Sequence, residues 1–181
     1  MSSGCIDYRV TTTMTESFNV REFKSDDIKH VVHINKEALP ENYPDQFFLG
    51  LHYHAPKAFL VAEVGNEIVG YIMCRIERGI SSFGRLPVKK GHIVSVAVLH
   101  AHRHKGIGTS LIKGGMDAMT EYGSSEFFLE VRKGNEAAVS VYETLGFSVR
   151  RVLRGYYRDG EDAYLMVCQS DSAPEDVSDP E

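Results

Sequence analysis

The stretch from His92 to Val131 restricts the fold more than any other part of this chain. "HIVSVAV" is an apolar, β-branched run of strand length. "RHKGIG" follows it. "GIGTSLIKGGMDAMTEYG" then carries Leu111, Ile112, Met116 and Met119 at helical spacing, and "FFLEV" is a second apolar run. A strand, a helix and a strand joined by short connections imply a parallel strand pair with a right-handed crossover. Whatever else the chain does, it must build its sheet outward from that unit.

The turn inside the unit has its own chemistry. A helix start presents free N–H groups and about half a positive charge. Anions settle there when no Cβ blocks the approach. Gly106 and Gly108 remove the block, and Arg103 and Lys105 add charge, so the turn is suited to a pyrophosphate. It is not a Walker A loop, because G-x-x-x-x-G-K-[ST] occurs nowhere. It is not a dinucleotide fingerprint either, because Leu111 stands where the third glycine belongs. A metal clip is the competing reading, since His100, His102 and His104 alternate and zinc favours histidine. They crowd one loop with no cysteine or paired carboxylate beside them in sequence. A solvated loop is the simpler account, and no metal is expected.

On either side of this unit the pattern is that of one domain. "FNVREF" alternates as a strand. "SDD" caps a helix with Ile28, Val31, Val32, Ala38 and Leu39 at helical spacing. Pro40 and Pro44 in "LPENYP" end it, and "DQFFLGLHYHA" is a short second helix. "AFLVAEV" and "IVGYIMCRI" form a hairpin across "GNE", and Arg78 to Gly91, polar and glycine-bearing, reads as a loop. Gly114 and Gly115 are odd residues for a helix interior. Asn135 caps the helix "NEAAVSVYETLG", which Gly146 stops. "FSVRRVLRGYY" and "DAYLMVC" close the chain as a hairpin across "RDGE". The expected order is β-α-α-β-β-β-α-β-α-β-β in a mixed α/β domain over residues 18–168. Residues 1–17 and the acidic 169–181 read as disordered tails.

Composition narrows the function classes. No run reaches the roughly 18 apolar residues of a membrane span, and "MSSGCIDYRVTTTMTES" lacks the apolar core of a secretory signal. Cys5, Cys74 and Cys168 form no C-x-x-C, which fits free thiols in a reducing cytoplasm. The net charge of −5 argues against nucleic acid and acidic membranes. The one compact basic stretch, "RRVLR" at Arg150 to Arg154, reads as a solvated strand flank.

Strand, R-x-x-G-x-G, helix, strand, Asn-capped helix with a tyrosine, then "GF" is an order that resembles the GNAT acetyltransferase superfamily. More narrowly, "LPENYP", "GYIMCRIE", "KGHIVSVAV", "RHKGIGTSL", "FFLEVRKGNEAAVSVYETLGF" and "GYYRDGEDAYLM" are similar to the archaeal N-terminal acetyltransferases and to the catalytic subunit of the eukaryotic enzyme that acetylates nascent chains. The resemblance implies a GNAT fold. Its mixed, mostly antiparallel sheet of about seven strands would have a parallel β4–β5 pair and four flanking helices. It implies acetyl-CoA as co-substrate. The N–H groups of His104, Lys105, Gly106, Ile107, Gly108 and Thr109 would hold the pyrophosphate beside Arg103. The pantetheine arm would lie along Val96, Ala97 and Val98 like an added strand. Asn135 would also contact the cofactor. The turn departs from the pattern in carrying His104 where relatives often have arginine.

The acceptor implied is a protein α-amine, protonated in good part near neutrality with its ordinary pKa of ~7.7–8.0. A base must take that proton before attack, and N–H donors must meet the oxyanion. Glu130 interrupts an apolar strand, where a carboxylate is costly unless paired. His92 opens the preceding strand. Structural readings compete with both: an ion pair to Arg132 or another cation for Glu130, and a surface imidazole for His92. The resemblance implies a His and a Glu at these positions acting through ordered water, and Tyr142 near the sulfur as proton donor. Two loops should recognise the peptide. They carry Glu41 and Tyr43 in "LPENYP", and Tyr156 and Tyr157 in "GYYRDGEDAY". Their closure would disfavour internal lysines. Nascent chains, ribosome association, and a monomer or weak homo-oligomer complete what the resemblance implies. Acetylation of a lysine or a small amine is the alternative, and a non-catalytic CoA-binding module a third reading.

Overall fold

The computed structural model describes residues 17–170, so the tails expected at either end fall almost wholly outside the described residues. The chain runs β1 (Phe18–Glu22), α1 (Ile28–Ala38), α2 (Asp45–His54), β2 (Phe59–Val64), β3 (Glu67–Ile80), β4 (Pro87–Val98), α3 (Ile107–Glu121), β5 (Glu126–Arg132), α4 (Glu136–Thr144), β6 (Ser148–Leu153) and β7 (Ala163–Gln169). This is the order that the sequence implies. The strands form one sheet, β1-β2-β3-β4-β5-β7-β6, in which only β4 and β5 are parallel.

Both faces of the sheet are covered, which is why β2 and β3 read as continuous apolar runs rather than as alternation. Phe59, Val61, Tyr71 and Met73 pack with Phe48, Val31 and Ile34 beneath α1 and α2. Leu60, Ala62, Ile72 and Cys74 pack with Leu111, Ile112 and Met119 beneath α3. The odd glycines of α3 belong to this packing. A Cβ at Gly114 would stand 2.9 Å from Leu60 Cδ1, and one at Gly115 would stand 2.9 Å from Ile72 Cδ1. The helix trades propensity for close approach to the sheet.

One expectation is corrected. Most of the stretch from Arg78 to Gly91 is not loop. β3 continues to Ile80, β4 begins at Pro87, and Glu77↔Lys90, Arg78↔Lys89, Gly79↔Val88 and Ile80↔Pro87 pair across the ribbon. This ribbon projects past the core and is polar on both sides, so it has none of the period-two alternation that betrays a half-buried strand. Its tip is fastened instead by polar contacts. Ser81 N–H donates to Leu86 O at 2.9 Å. The buried Glu126 carboxylate accepts from the Ser81 hydroxyl and from Ser82 N–H.

Two features of β4 open the molecule. The strand pairs with β5 only over Lys90–His92 against Glu126–Phe128. Directly after, its register to β3 shifts between Met73↔Ser95 and Cys74↔Ile93, leaving Val94 as an extra, bulged residue. A bulge bends its strand and increases the local twist. β4 and β5 part from that point. Gly91 lies where they are still joined, and a Cβ there would overlap Met119 Sδ and come within 2.9 Å of Phe127. Gly91→Val should therefore cost about 2 kcal/mol through overpacking, lowering Tm by roughly 4–8 °C. Gly114→Ala, which meets only the flexible end of Leu60, should cost far less in the same calorimetric comparison.

Candidate active site

A groove of about 830 Å³ lies where the two strands diverge. It brings together most of the residues singled out in the sequence. Glu41 and Tyr43 reach it from the α1–α2 loop, and Val96, Ala97 and Val98 from β4. Arg103, His104, Gly106, Gly108 and Thr109 come from the glycine turn, Glu130 from β5, Asn135 and Tyr142 from the cap and body of α4, and Tyr156 and Tyr157 from the β6–β7 loop. Three do not line it. Ile107 is 1% exposed and belongs to the core. Lys105 points elsewhere on the turn, and His92 lies behind Glu130.

The anion seat is made of backbone. His104 (φ 61°) and Gly106 (φ 82°) adopt the left-handed conformation that turns the chain into α3. The first ladder bond of α3 is Ser110 N–H to Gly106 O at 3.0 Å, so the N–H groups of Ile107, Gly108 and Thr109 have no ladder partner. No side chain caps this end. A Cβ at Gly108 would meet nothing nearer than Val98 at 3.9 Å, so the space in front of the N–H groups is open. Arg103 is partly committed, since its Nε donates to Val98 O at 3.0 Å. Along Ile93–Val98 the strand pairs with β3 on one side only. Its other edge faces the groove with N–H and C=O groups that no strand pairs, Val98 O being taken by Arg103, and it is able to accept an amide-bearing arm.

Beside this lies a pair of proton-handling groups. His92 Nε2 stands 2.7 Å from Glu130 Oε2, so the two side chains meet. The imidazole is nearly buried, at 9% side-chain exposure, and stacks on Phe128 with ring centroids 4.2 Å apart. Its other nitrogen, Nδ1, is 3.3 Å from Glu77 Oε1, which itself accepts from Arg75 Nε at 2.5 Å. The competing partner for Glu130, Arg132, is engaged elsewhere. Its guanidinium bonds Glu41 at 2.5 Å, Asp159 at 2.7 Å and Glu161 at 2.6 Å, and lies 4.1 Å from the Tyr157 ring centre. Desolvation works against its charge, but the bonds to Glu41, Glu161 and Asp159 outweigh it and hold the group further above its ordinary range. Arg132 thus ties together the two loops that carry Glu41, Tyr156 and Tyr157.

Burial pushes the Tyr142 phenol well up, with Cys74 adding a little, so the group is protonated throughout the neutral range. Burial also raises Tyr157, and the charges of Glu41 and Glu130 add to it. The Asn135 side chain accepts from Ala138 N–H at 3.2 Å, the cap expected of it. Among the described residues no three His, Cys, Asp or Glu side chains converge on a point that could hold a metal.

The Acetyltransferase (GNAT) family matches residues 26–147, two thirds of the chain. The chain belongs to the GNAT acetyltransferase family. An N-alpha-acetyltransferase of Sulfurisphaera tokodaii is 50% identical over 155 residues, 84% of this chain and 93% of that protein. The NatA catalytic subunit NAA10 of Arabidopsis thaliana is 38% identical over 81% of this chain and 75% of its own. Ard1 from Thermoplasma volcanium superposes with a TM-score of 0.74 at 30% identity, covering 84% and 97%. As a GNAT enzyme the chain uses acetyl-CoA, and the open N–H row at the start of α3 fits a pyrophosphate without alteration.

Four residues of the site escaped the sequence reading. Asn35 is fully buried. Its Nδ2 donates to Glu41 O and Tyr71 Oη, both at 3.0 Å, and its Oδ1 accepts from Tyr43 N–H at 3.3 Å. It ties the "LPENYP" loop to the core. An amide one position from Ile34 in the apolar stripe of α1 was the available signal. Arg132 was weighed only as a partner for Glu130. Arg75 and Glu77 lie on the rim of β3, and no local pattern marks them. Gly108→Val would put a branched side chain into the N–H seat. It should weaken acetyl-CoA binding at least about tenfold, or ~1.4 kcal/mol, by calorimetric titration, with Tm nearly unchanged.

Proposed function

We propose that this GNAT enzyme is an N-alpha-acetyltransferase that moves the acetyl group of acetyl-CoA onto the free α-amine of protein N-termini, by direct attack in a ternary complex. The observation that carries the reading is the acceptor end of the groove. Glu41 and Tyr157 come from loops far apart in the chain, yet both are held by Arg132, and both line the groove with Glu130. A chain end can be held between two loops fastened in this way more easily than a side chain projecting from a continuous backbone. The 50% identity to an N-alpha-acetyltransferase over nearly its whole length supports the same reading.

The geometry is compatible with the following roles. The His92–Glu130 pair, acting through a water, takes the proton of the α-ammonium. The freed nitrogen lone pair attacks the thioester carbon. N–H groups on the open edge of β4 receive the oxyanion. The C–S bond then breaks, the nitrogen gives up its second proton, and Tyr142, which burial keeps protonated, passes its own proton to the departing thiolate and is reprotonated by the one that leaves the nitrogen. The N–H groups from His104 to Thr109 hold the pyrophosphate, with Arg103 and Lys105 adding charge. The free edge at Val96, Ala97 and Val98 receives the pantetheine arm, and the Asn135 amide nitrogen faces the cofactor. Glu41, Tyr43, Tyr156 and Tyr157 bind the first peptide units. In this reading the enzyme meets nascent chains in the cytoplasm, near the ribosome, as a monomer or weak homo-oligomer.

Two measurements test this. A peptide with a free N-terminus should be acetylated much faster than one that is blocked but carries an internal lysine. The reverse order would assign the enzyme to lysine acceptors. His92→Ala combined with Glu130→Gln should lower kcat by roughly 10²-fold or more while acetyl-CoA affinity holds. Binding without any change of turnover in that double variant would remove the pair from the mechanism.

A further inference from the structure

The His92 ring lies between two carboxylates. Glu130 is 2.7 Å from Nε2 and Glu77 is 3.3 Å from Nδ1. A neutral imidazole has one N–H to give, and an ionised carboxylate has none. The short Nε2 contact already requires one proton between His92 and Glu130. The longer Nδ1 contact becomes a full hydrogen bond only when the ring holds a second. The acceptor's proton reaches the pair from the groove through Glu130, and Glu77 faces the other side of the ring with a negative charge that favours the protonated pair.

We propose that Glu77, fixed by Arg75, is a positioning residue that orients the His92 ring and stabilises the protonated form of the His92–Glu130 pair, reached when the pair takes the proton of the acceptor amine. The inference rests on the proposed role of that pair. The proton leaves the α-ammonium for the pair through water, the amine lone pair forms the C–N bond, and the C–S bond electrons leave with sulfur. Glu77 exchanges no atom. It supplies a fixed negative charge at the far side of the ring. Arg75 Nε binds the same Oε1 that faces Nδ1 and fixes where that charge sits. Phe128, stacked on the ring, fixes its plane. The phenols of Tyr43, Tyr156 and Tyr157 feel the charge of Glu130, and Lys90 stands opposite Glu77 across β3–β4 with its ammonium turned to Ser82 and Glu126. With Arg75 and His92 as cations and Glu77 and Glu130 as anions, the four-residue row carries no net charge after it accepts the proton. The excess negative charge is thus removed at the step that generates the nucleophile.

The test is the pH profile of kcat/KM for wild type, Glu77→Gln and Glu77→Asp, with a free-N-terminus peptide. Loss of the Glu77 charge destabilises the protonated pair, so the base gives up its proton at lower pH. In Glu77→Gln the acidic limb should move to lower pH, and the plateau of kcat should fall roughly tenfold, with KM for acetyl-CoA unchanged. Glu77→Asp should recover part of both. Adding Glu77→Gln to His92→Ala should cause no further loss. A Glu77→Gln profile with limb and plateau both in place overturns the proposal if His92→Ala still lowers kcat. A His92→Ala variant at full activity would instead overturn the reading of the pair itself. Side chains at Glu77 are 35% exposed, so neither variant should unfold the protein, which a matching Tm would show.

Discussion

The parting of β4 from β5 is the constraint on which the site depends. Three residue pairs hold the parallel strands together. The Val94 bulge then turns β4 away while β3 continues to pair with its other edge. Backbone groups that a regular sheet would consume are left facing a groove, at a place kept rigid by α3 on one side and by α1 and α2 on the other. Unpaired N–H and C=O groups in a protein interior are normally costly. Here they are tolerable because the groove is open to water and to a ligand that can pair with them. The same divergence brings the glycine turn at the end of β4 and the Asn135 cap after β5 to opposite sides of one cavity. Pairing further along β4 would close the groove and leave no seat for the cofactor.

Charge is organised around this opening in two separate units. One is the Arg75–Glu77–His92–Glu130 row, which runs across the sheet from β3 through β4 to β5. The other is Arg132 with Glu41, Asp159 and Glu161. Both cross chain segments that are remote in sequence. Ion pairs of this kind add little net stability where they are exposed. Their consequence here is placement: the first fixes a ring, the second fixes two loops. The second unit has three carboxylates for one guanidinium, so the acceptor mouth keeps an excess of negative charge. In the proposed function that excess would attract a protonated chain terminus before the base removes its proton.

The sequence was most legible where function is carried by backbone. The strand–turn–helix–strand unit, the absent Cβ at Gly106 and Gly108, and the Asn135 cap are local patterns, and each stands where its pattern implied. The order of all eleven strands and helices was readable for the same reason, since hydrophobic period and turn residues are local too. What failed was the polar ribbon of β3 and β4, which has no buried face to impose alternation. What stayed hidden was anything requiring two distant segments. Nothing near Glu130 says that it meets His92 rather than Arg132. Nothing near Glu77 says that it backs an imidazole fifteen residues on. The relation of Asn35 to Glu41 was within reach, because a lone amide in an apolar stripe demands partners.

This division has a consequence for how such a fold changes acceptor. The cofactor half of the groove consists largely of N–H groups, glycines and a strand edge. A substitution there acts through conformation or steric block, and few sequences satisfy it. The acceptor half consists of side chains on two loops, fastened by one arginine and one buried asparagine. Residues on those loops can vary without disturbing the sheet, provided that the fasteners keep the loops in place. Acceptor choice can therefore shift through Glu41, Tyr43, Tyr156 and Tyr157 while acetyl-CoA continues to bind in the same way, which is how one fold can host many acceptors. The His92–Glu130 pair lies between the halves. Its geometry comes from the sheet register, with His92 opposite Phe128 across β4–β5 and opposite Arg75 across β3–β4. Loop variation does not reach it, so in the proposed mechanism the proton-handling step is set by the sheet register and the acceptor by what the loops admit to it.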